Sequence, residues 1–582
     1  MSANTNISEI SQPRETSLLD TVRGNWQRLW GDKRFRLPFS IIATLLILSV
    51  GVGTVLYYII GPAEGFLTSD TVDSIAWANA YFETGELITD QYYYAAILPF
   101  GGNQIFYPFL AIFGYGMPAQ IGGLVLFTLL LAAALYYMAS GVGLSCFGSA
   151  GLTTVFMLIM SSSAKLREIM WEHIFYYNLG ILFFCFGFGL AVRLIRDGNA
   201  RSKRPIQIIR LAVLLVFCGL AALDGLQALV CLTVPLVGAL ALERLLDKDT
   251  KLLSMKNLYS LGFIAAIGVA SMIGFLMIEK VTGGVNASYA DSYSNFSDLS
   301  GCVDRFLKFF PNWLTLIGVD VAKGDPLVSI DSLFDILRIV LALLLLITPV
   351  VLLCFYKRIQ SRGLRLVLLG HFIVSFFILF AVTFGNLGGA NWRLTPMLGT
   401  SVIVSVMAVA EMLRHIEIDK RVPARLSGIV LAVLIMSSGL TAYQVLKIPA
   451  DHGRQNSWHK VAAELEARDL KYGYGQFWWA NAVTLISDGA VEMSSADSNA
   501  ATGLVKSLYQ MPTDAYDDKD TDRYFVMFNE KDNEKMASWI QRQTENGVVI
   551  DSFTVESEPY DLSRYGIYGS VIYIYVFNEN PF

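Results

Sequence analysis

The sequence predicts a polytopic α-helical membrane protein of about eleven transmembrane helices, followed by a C-terminal α/β domain. Of 582 residues, 54% are hydrophobic and 16% are charged, whereas soluble proteins contain about 25% charged residues. Apolar stretches of about 20 residues recur along the chain, and each can cross a hydrocarbon core about 30 Å thick. After residue 446 the composition becomes polar and charged, which indicates a separate unit outside the bilayer.

The apolar stretches define the spans, and the polar segments between them define the loops. The predicted spans are 38–60, 117–139, 143–161, 175–195, 207–223, 226–243, 257–279, 333–356, 364–385, 394–413 and 426–446. The chain then divides into an N-terminal segment, 1–37, a membrane domain, 38–446, and a C-terminal domain, 447–582. Two long loops, 61–116 and 281–331, interrupt the membrane domain.

The basic residues predict the orientation of these spans. Clusters of Lys and Arg lie before the first span and after the fourth, sixth, eighth and tenth spans, and the eleven-span count places all of them on one face. On the other face, residues 61–104 contain neither Lys nor Arg. Basic residues favour the cytoplasmic side. We therefore expect a cytoplasmic N-terminus, and extracytoplasmic loops 61–116 and 281–331 and C-terminal domain. With six scattered cysteines and no secretory leader, the predicted location is the plasma (inner) membrane of a bacterium.

In the C-terminal domain, periodicity and composition predict two helices and three strands. The helices are expected near 455–468 and 532–545. The strands are expected at Tyr524–Asn529, Val548–Val555 and Val571–Phe577, where β-branched and aromatic residues cluster.

Asp70 follows the first span and is predicted to begin a short helix that stops at Gly85. One interpretation is structural: Asp70 is the N-cap and Asp73, three residues on, is its capping partner. The other is catalytic: a carboxylate at the membrane surface is a general base for an acceptor hydroxyl. The two interpretations are compatible.

Arg393 lies at the outer border of the tenth span, in the string Asn391–Pro396. An arginine at a span border commonly extends its charged end to the lipid headgroups. Alternatively, its planar guanidinium binds a phosphate through two parallel hydrogen bonds.

A second polar cluster is predicted between the third and fourth spans. Glu168 and Glu172, four residues apart, share a helix face, and His173 follows them. Glu172 and His173 could hold a metal, position the acceptor or support Asp70. Alternatively, the cluster is a charged rim with internal ion pairs, such as Lys165 or Arg167 with Glu168. Asp224, in the turn between the fifth and sixth spans, is either a functional ionisable group or a turn former.

Two segments resemble motifs of the GT-C superfamily of polyprenyl-phosphate-dependent glycosyltransferases: Asp70 to Gly85, and the Arg393–Met397 string. Each segment lies at the position in this topology where the superfamily has its motif. That superfamily includes protein O-mannosyltransferases and aminoarabinose transferases. Thr71 stands where many members have Glu after the aspartate, and Leu394 stands where Tyr usually follows the arginine.

The resemblance implies an inverting glycosyltransferase that moves a sugar from a polyprenyl-phosphate donor to an acceptor hydroxyl at the outer membrane face. Asp70 would be the base and Arg393 would bind the donor phosphate, with Asp73, Glu168, Glu172, His173 and Asp224 in support. The expected partners are the donor lipid, the bilayer and an acceptor glycan, lipid or protein, and no nucleic acid. No cofactor is certain. A divalent metal is a possible cofactor, but the sequence has no clear spacing of metal ligands that would predict one.

Two other classes of protein share this topology. A flippase or transporter of lipid-linked glycans would carry charges near the bilayer midplane, whereas the acidic residues here gather at one outer face. A glycan ligase or polymerase would depend on basic residues of the 281–331 loop, such as Arg305 and Lys308.

Overall fold

The protein is a bundle of long apolar helices joined to a C-terminal domain built on a β-sheet. The computed structural model describes residues 33–197, 204–246, 255–285, 295–321, 326–414, 421–450, 457–556 and 571–582. Most of the predicted N-terminal segment therefore lies outside the described residues. The helices before the C-terminal domain are α1 Lys33–Ile60, α2 Ser69–Thr84, α3 Tyr107–Phe113, α4 Met117–Val142, α5 Cys146–Ile159, α6 Ala164–Glu172, α7 Tyr176–Asp197, α8 Arg204–Ala221, α9 Leu226–Leu246, α10 Met255–Leu276, α11 Ile278–Thr282, α12 Cys302–Leu307, α13 Phe309–Ile317, α14 Ile330–Cys354, α15 Arg362–Phe384, α16 Thr395–Arg414 and α17 Arg421–Leu446.

Within the described residues, ten helical segments are long and apolar enough to cross a membrane, and a bent helix pair is a further candidate. The ten are α1, α4, α7, α8, α9, α10 with α11, α14, α15, α16 and α17. They correspond to ten of the eleven predicted spans, so the prediction of a polytopic membrane protein is confirmed.

The third predicted span, 143–161, corresponds to α5, and the chain bends sharply where this span ends. Helix α5 ends at Ile159, and α6 leaves it at an angle of 116°. Ser162 and Ser163 lie in the break and donate hydrogen bonds to the carbonyls of Ile317 and Leu316, at 2.9 and 2.7 Å. Serine hydroxyls offer the backbone alternatives to helical bonding, and here they attach the break to the end of α13. The break turns α6 away from the direction of α5.

The C-terminal domain is a mixed sheet of six strands with helices on both faces. Its strand order is β4-β3-β2-β6-β8-β7, with β3, β2 and β6 parallel and the remaining pairs antiparallel. The strands are β2 Tyr472–Gly475, β3 Glu492–Asn499, β4 Gly503–Lys506, β6 Tyr524–Phe528, β7 Val549–Glu556 and β8 Val571–Phe577, and the helices are α18 Ser457–Ala467, α19 Phe477–Ile486 and α20 Glu530–Glu545.

Alternate residues of β6 face opposite sides of this sheet, as the two-residue period of a strand requires. Phe525 and Met527 pack with residues of α18 and α19, whereas Val526 and Phe528 pack with residues of α20. The three predicted strands correspond to β6, β7 and β8, and the two predicted helices to α18 and α20; residues 455 and 456 lie outside the described part. Strands β2, β3 and β4 were not predicted, because they are short, polar or rich in glycine.

The first outer loop, 61–116, and the C-terminal domain meet at one end of the bundle, here called the upper end. Strand β1, Tyr92–Tyr93, pairs antiparallel with β5, Met511–Pro512. The Ser69 hydroxyl donates to the carbonyl of Phe477 and accepts from the backbone N–H of Asn481 at 3.1 Å. Because these contacts join α2 to α19, the domain and the loop form one assembly.

The lower end carries ion pairs that join neighbouring spans, and the carboxylate of each pair is buried. Arg362 donates two hydrogen bonds of 2.9 Å to the Glu243 carboxylate, and Arg210 lies 2.9 Å from Asp197. This end is basic, as the charge pattern predicts. Many residues of that pattern fall in 1–32, 198–203, 247–254 and 415–420, outside the described part of the chain, and the orientation stays a prediction.

Candidate active site

The helix that carries Asp70 begins one residue earlier than predicted, and its cap is a different residue. Thr68 is the N-cap, and its backbone N–H donates to Thr71 Oγ1 at 2.8 Å. The interpretation of Asp70 as the N-cap is therefore wrong, because the threonine pair already caps the helix. The predicted stop is confirmed: α2 ends at Thr84, and Gly85 has a φ of +74°.

Asp70 therefore does not cap the helix, and its side chain lies in a cluster of polar groups at the upper end. Burial, followed by the charge of the nearby Glu168 carboxylate, raises the pKa of Asp70 from 3.8 to about 6. Lys165 and a hydrogen bond from the Gln510 side chain act in the opposite direction. The side chain keeps partial solvent access. A base of this kind is charged at neutral pH and is more basic than an ordinary aspartate.

Asp73 lies one helical turn beyond Asp70 and is 4% exposed. Burial, followed by the charge of Asp70, raises the pKa of Asp73 to about 8. At pH 7 this carboxyl group is therefore largely protonated. The two neighbouring carboxyl groups have different protonation states because burial disfavours the charged form of Asp73, and the charge of Asp70 disfavours it further.

Lys165 connects the Asp70 cluster to the segment that carries Arg393. Its ammonium group lies 2.6 Å from Glu168 Oε1, which is the ion pair predicted from the sequence. The same ammonium group lies 4.5 Å from the ring centre of Trp392, the residue before Arg393. The predicted base and the predicted phosphate ligand therefore both lie at the upper end of the bundle, and Lys165 contacts residues near each of them.

Arg393 is enclosed by protein, with 6% of its surface exposed. It lies in a 3-10 turn, Asn391–Leu394, directly before α16, and its Nη1 donates to the carbonyl of Asn386 at 3.3 Å. The side chain therefore does not extend to lipid headgroups. A buried guanidinium at this end is suited to an anion that enters the protein.

His173 is placed against the backbone of Asp70. Its Nδ1 lies 3.2 Å from the Asp70 carbonyl oxygen, which can only accept, so Nδ1 carries the proton. Burial lowers the pKa of His173 to about 4, so the ring is neutral at pH 7. Nε2 is then an acceptor, and it has no hydrogen-bond partner among the described residues.

Glu172 holds the cluster to the bundle. Its carboxylate accepts a hydrogen bond from the Tyr58 hydroxyl of α1. Its backbone carbonyl accepts from Gln120 Nε2 at 3.2 Å, and the same amide group donates to the carbonyl of Thr71 at 3.0 Å. Gln120 therefore joins α2, α4 and α6 below Asp70.

Asp224 occupies a different place. Its Oδ1 accepts a hydrogen bond of 2.7 Å from the backbone N–H of Phe100, and the residue lines a small cavity with Leu98 and Phe183. Within the described residues these contacts tie it to the end of the first outer loop, and the structure does not bring it into the Asp70 cluster.

No three His, Cys, Asp or Glu side chains in the described part of the chain are arranged to hold a metal ion. Sequence reasoning also missed two contacts of the cluster, Lys165 with Trp392 and Gln510 with Asp70. The predicted pairing of Lys165 with Glu168 was a signal for the first contact. No signal in the sequence indicates the second.

Comparison with solved structures shows a shared fold over nearly the whole length of the chain. One protein whose solved structure the chain is similar to is ArnT from Cupriavidus metallidurans. Its crystal structure bound to undecaprenyl phosphate matches with a TM-score of 0.50 and 11% identity, over 94% of this chain and 98% of that chain. The apo structure of the same ArnT matches with a TM-score of 0.49, 12% identity, and coverage of 93% and 98%.

The similarity lies in the fold and not in the sequence. No model of a known protein family matches the chain. A search of curated proteins likewise gives no match.

Proposed function

We propose that the protein is a glycosyltransferase of the GT-C type that transfers a sugar from a polyprenyl-phosphate donor to an acceptor hydroxyl. The observation that carries the proposal is the upper-end cluster. A carboxylate with a raised pKa, Asp70, is connected through Lys165 to the segment of a buried arginine, Arg393. The fold shared with an ArnT that binds undecaprenyl phosphate supports the choice of donor.

In the proposed reaction, Asp70 takes the proton of the acceptor hydroxyl. The hydroxyl oxygen forms a bond to the anomeric carbon on the face opposite the phosphate, and the bond from that carbon to the phosphate oxygen breaks. The configuration of the sugar therefore inverts. The electron pair leaves with the polyprenyl phosphate, and the Arg393 guanidinium stabilises the charge that develops there.

His173 and Glu172 have supporting roles in this proposal. The neutral His173 ring contacts the backbone beneath the base, and Glu172 fixes its segment to α1. Asp73, protonated at pH 7, adds no second negative charge next to Asp70. The upper end would face the extracytoplasmic side of a bacterial plasma membrane, as the basic lower end favours.

A direct test is transfer by the purified protein from a panel of radiolabelled polyprenyl-phosphate sugars. Wild-type protein is expected to release polyprenyl phosphate and to label an acceptor. Turnover with none of the donors, together with donor binding that requires Arg393, would instead favour a flippase or transporter. Lys308→Ala tests the ligase or polymerase alternative: Lys308 is exposed and pairs with Asp304, and we expect no loss of transfer.

The pH dependence of transfer follows from the pKa of Asp70. Because the base must be charged, kcat/KM is expected to fall as the pH decreases through about 6, well above the ordinary aspartate value of 3.8. The measurement is kcat/KM between pH 4.5 and 8 under donor-limiting conditions. A rate that stays constant down to pH 4.5 would mean that Asp70 is not the base.

A further inference from the structure

Helices α12 and α13, in the loop 281–331, are packed against the spans below the upper end of the bundle. The indole N–H of Trp313, in α13, donates to the carbonyl of Ala342 in the interior of α14, at 3.0 Å. Ala342 precedes Cys354, the last residue of α14, by twelve residues, and therefore lies about 18 Å above the lower end of that helix. Because the hydrocarbon core of a bilayer is about 30 Å thick, Trp313 lies at a depth that lipid chains occupy.

The end of α13 is bonded to a second element at a similar depth. Helix α5, Cys146–Ile159, has 14 residues and is about 21 Å long, which is shorter than the hydrocarbon core. It begins at the lower end, where the carbonyl of Val142 accepts a hydrogen bond from the Ser361 hydroxyl. Since Ser162 and Ser163 join the break after α5 to the end of α13, both elements lie within the thickness of the bilayer.

The side of α12 and α13 that faces away from the bundle is apolar. Five residues follow the period of a helix and share this side, with exposures from 44% to 70%, and we call them the apolar stripe: Leu299, Val303, Phe306, Leu307 and Phe310. The charged side chains of Asp304 and Lys308 lie on another face and pair with each other at 3.2 Å. A helix with one apolar and one charged outer face is typical of the boundary between lipid and water.

The apolar stripe continues the outward-facing surface of the neighbouring span α15. Phe376 and Phe380 of that span are 62% and 40% exposed. The ring centre of Phe296, just before the stripe, lies 6.3 Å from that of Phe380. The backbone N–H of Ser297 donates to the carbonyl of Phe384 at 2.8 Å, which fixes the segment to the last turn of α15. One apolar surface therefore extends from a membrane span onto α12.

We propose that α12 and the first turn of α13 are embedded in the leaflet at the upper end, with the apolar stripe against lipid acyl chains. Exposed apolar surface of this extent marks an interaction site, and the depth of Trp313 makes lipid the partner. Asp304 and Lys308 then face the headgroups. This part of the loop 281–331 is thus a membrane-embedded element, and the proposal does not depend on the proposed function.

Photolabelling of the wild-type protein in lipid vesicles tests this contact directly. The probe is a phosphatidylcholine that carries a diazirine on one acyl chain, and mass spectrometry after proteolysis locates the labelled residues. Label is expected on 299–310 at a level comparable with that on Phe376 of α15. The control is Ile550 of β7, in the C-terminal domain, which is 51% exposed, as against 50% for Phe310, and is expected to carry no label.

Val303 and Asp304 provide a matched pair for a second readout, because they are adjacent but lie on different faces. Val303 is 65% exposed, and the side chain of Asp304 is 74% exposed. Each is replaced by cysteine in a Cys302→Ser background, and mass spectrometry follows the reaction with a water-soluble maleimide. Val303→Cys is expected to react about tenfold more slowly than Asp304→Cys, because lipid disfavours the thiolate that reacts. After unfolding, the two variants should react at the same rate.

The two readouts together decide the proposal. Label on the apolar stripe and slow reaction of Val303→Cys support it. Absence of label from 299–310, or equal reaction rates of the two variants in the folded protein, overturns it. A disulfide between two copies of Val303→Cys would mean that a second copy of the chain covers the stripe, and this result also overturns the proposal. Neither readout uses sugar transfer, so failure of this proposal and failure of the proposed function are distinguishable.

Discussion

Asp70→Asn is expected to lower the rate of sugar transfer by about 10²- to 10⁴-fold, the usual contribution of a positioned general base. Asparagine has the same shape as aspartate but cannot take a proton at neutral pH. Folding and donor binding should therefore persist. The measurement is kcat for label transfer, beside donor binding and the thermal transition of the purified variant.

Two further substitutions show whether such a loss is specific to Asp70. Asp90→Asn changes an exposed aspartate of the same loop and is expected to have no effect. Asp73→Asn replaces a group that is largely protonated at pH 7, so we expect a much smaller loss than with Asp70→Asn. If Asp70→Asn transfers sugar at the wild-type rate, Asp70 is not the base, and the acceptor nitrogen of His173 becomes the next candidate.

Arg393→Ala is expected to reduce kcat by about 10²- to 10³-fold, comparable to the loss of one group that stabilises transition-state charge. It should also weaken binding of the donor, because the phosphate loses a charged ligand. Arg393→Lys keeps the positive charge but loses the planar pair of donors, so we expect only partial recovery. Donor binding is measured in the Asp70→Asn background, where the donor is not consumed.

The control for Arg393 must distinguish phosphate binding from loss of folding, because the side chain is buried and contacts Asn386. Arg468→Ala removes a guanidinium from the surface of the C-terminal domain, where it lies over Phe553. That variant is expected to transfer sugar normally. Folded Arg393→Ala protein with unchanged donor affinity and unchanged kcat would contradict the proposed phosphate site.

Features that depend on nearby residues were predictable from the sequence. The spans follow from local hydropathy, and helix α2 stops at Gly85 as its sequence predicts. Strands β6, β7 and β8 have the aromatic and β-branched residues that strand surfaces favour. In each case the determining residues are neighbours in the chain.

The sharp bend that follows the third predicted span could not be predicted in this way. Residues 143–161 read as one apolar stretch, and the three serines at 161–163 do not by themselves indicate a bend. What redirects the chain is the bonding of Ser162 and Ser163 to the end of α13, which lies about 150 residues further on. That contact exists only when the bundle is packed.

By itself, the sequence determined the class of membrane protein, most of the spans, the helix of Asp70 and three strands of the C-terminal domain, because these depend on local composition and periodicity. The tertiary structure decided which polar residues meet: Lys165 lies over Trp392, Gln510 reaches Asp70, and Asp224 lies apart. It also decided the protonation of Asp70 and Asp73, because burial sets their pKa values, and burial is a property of the packed chain.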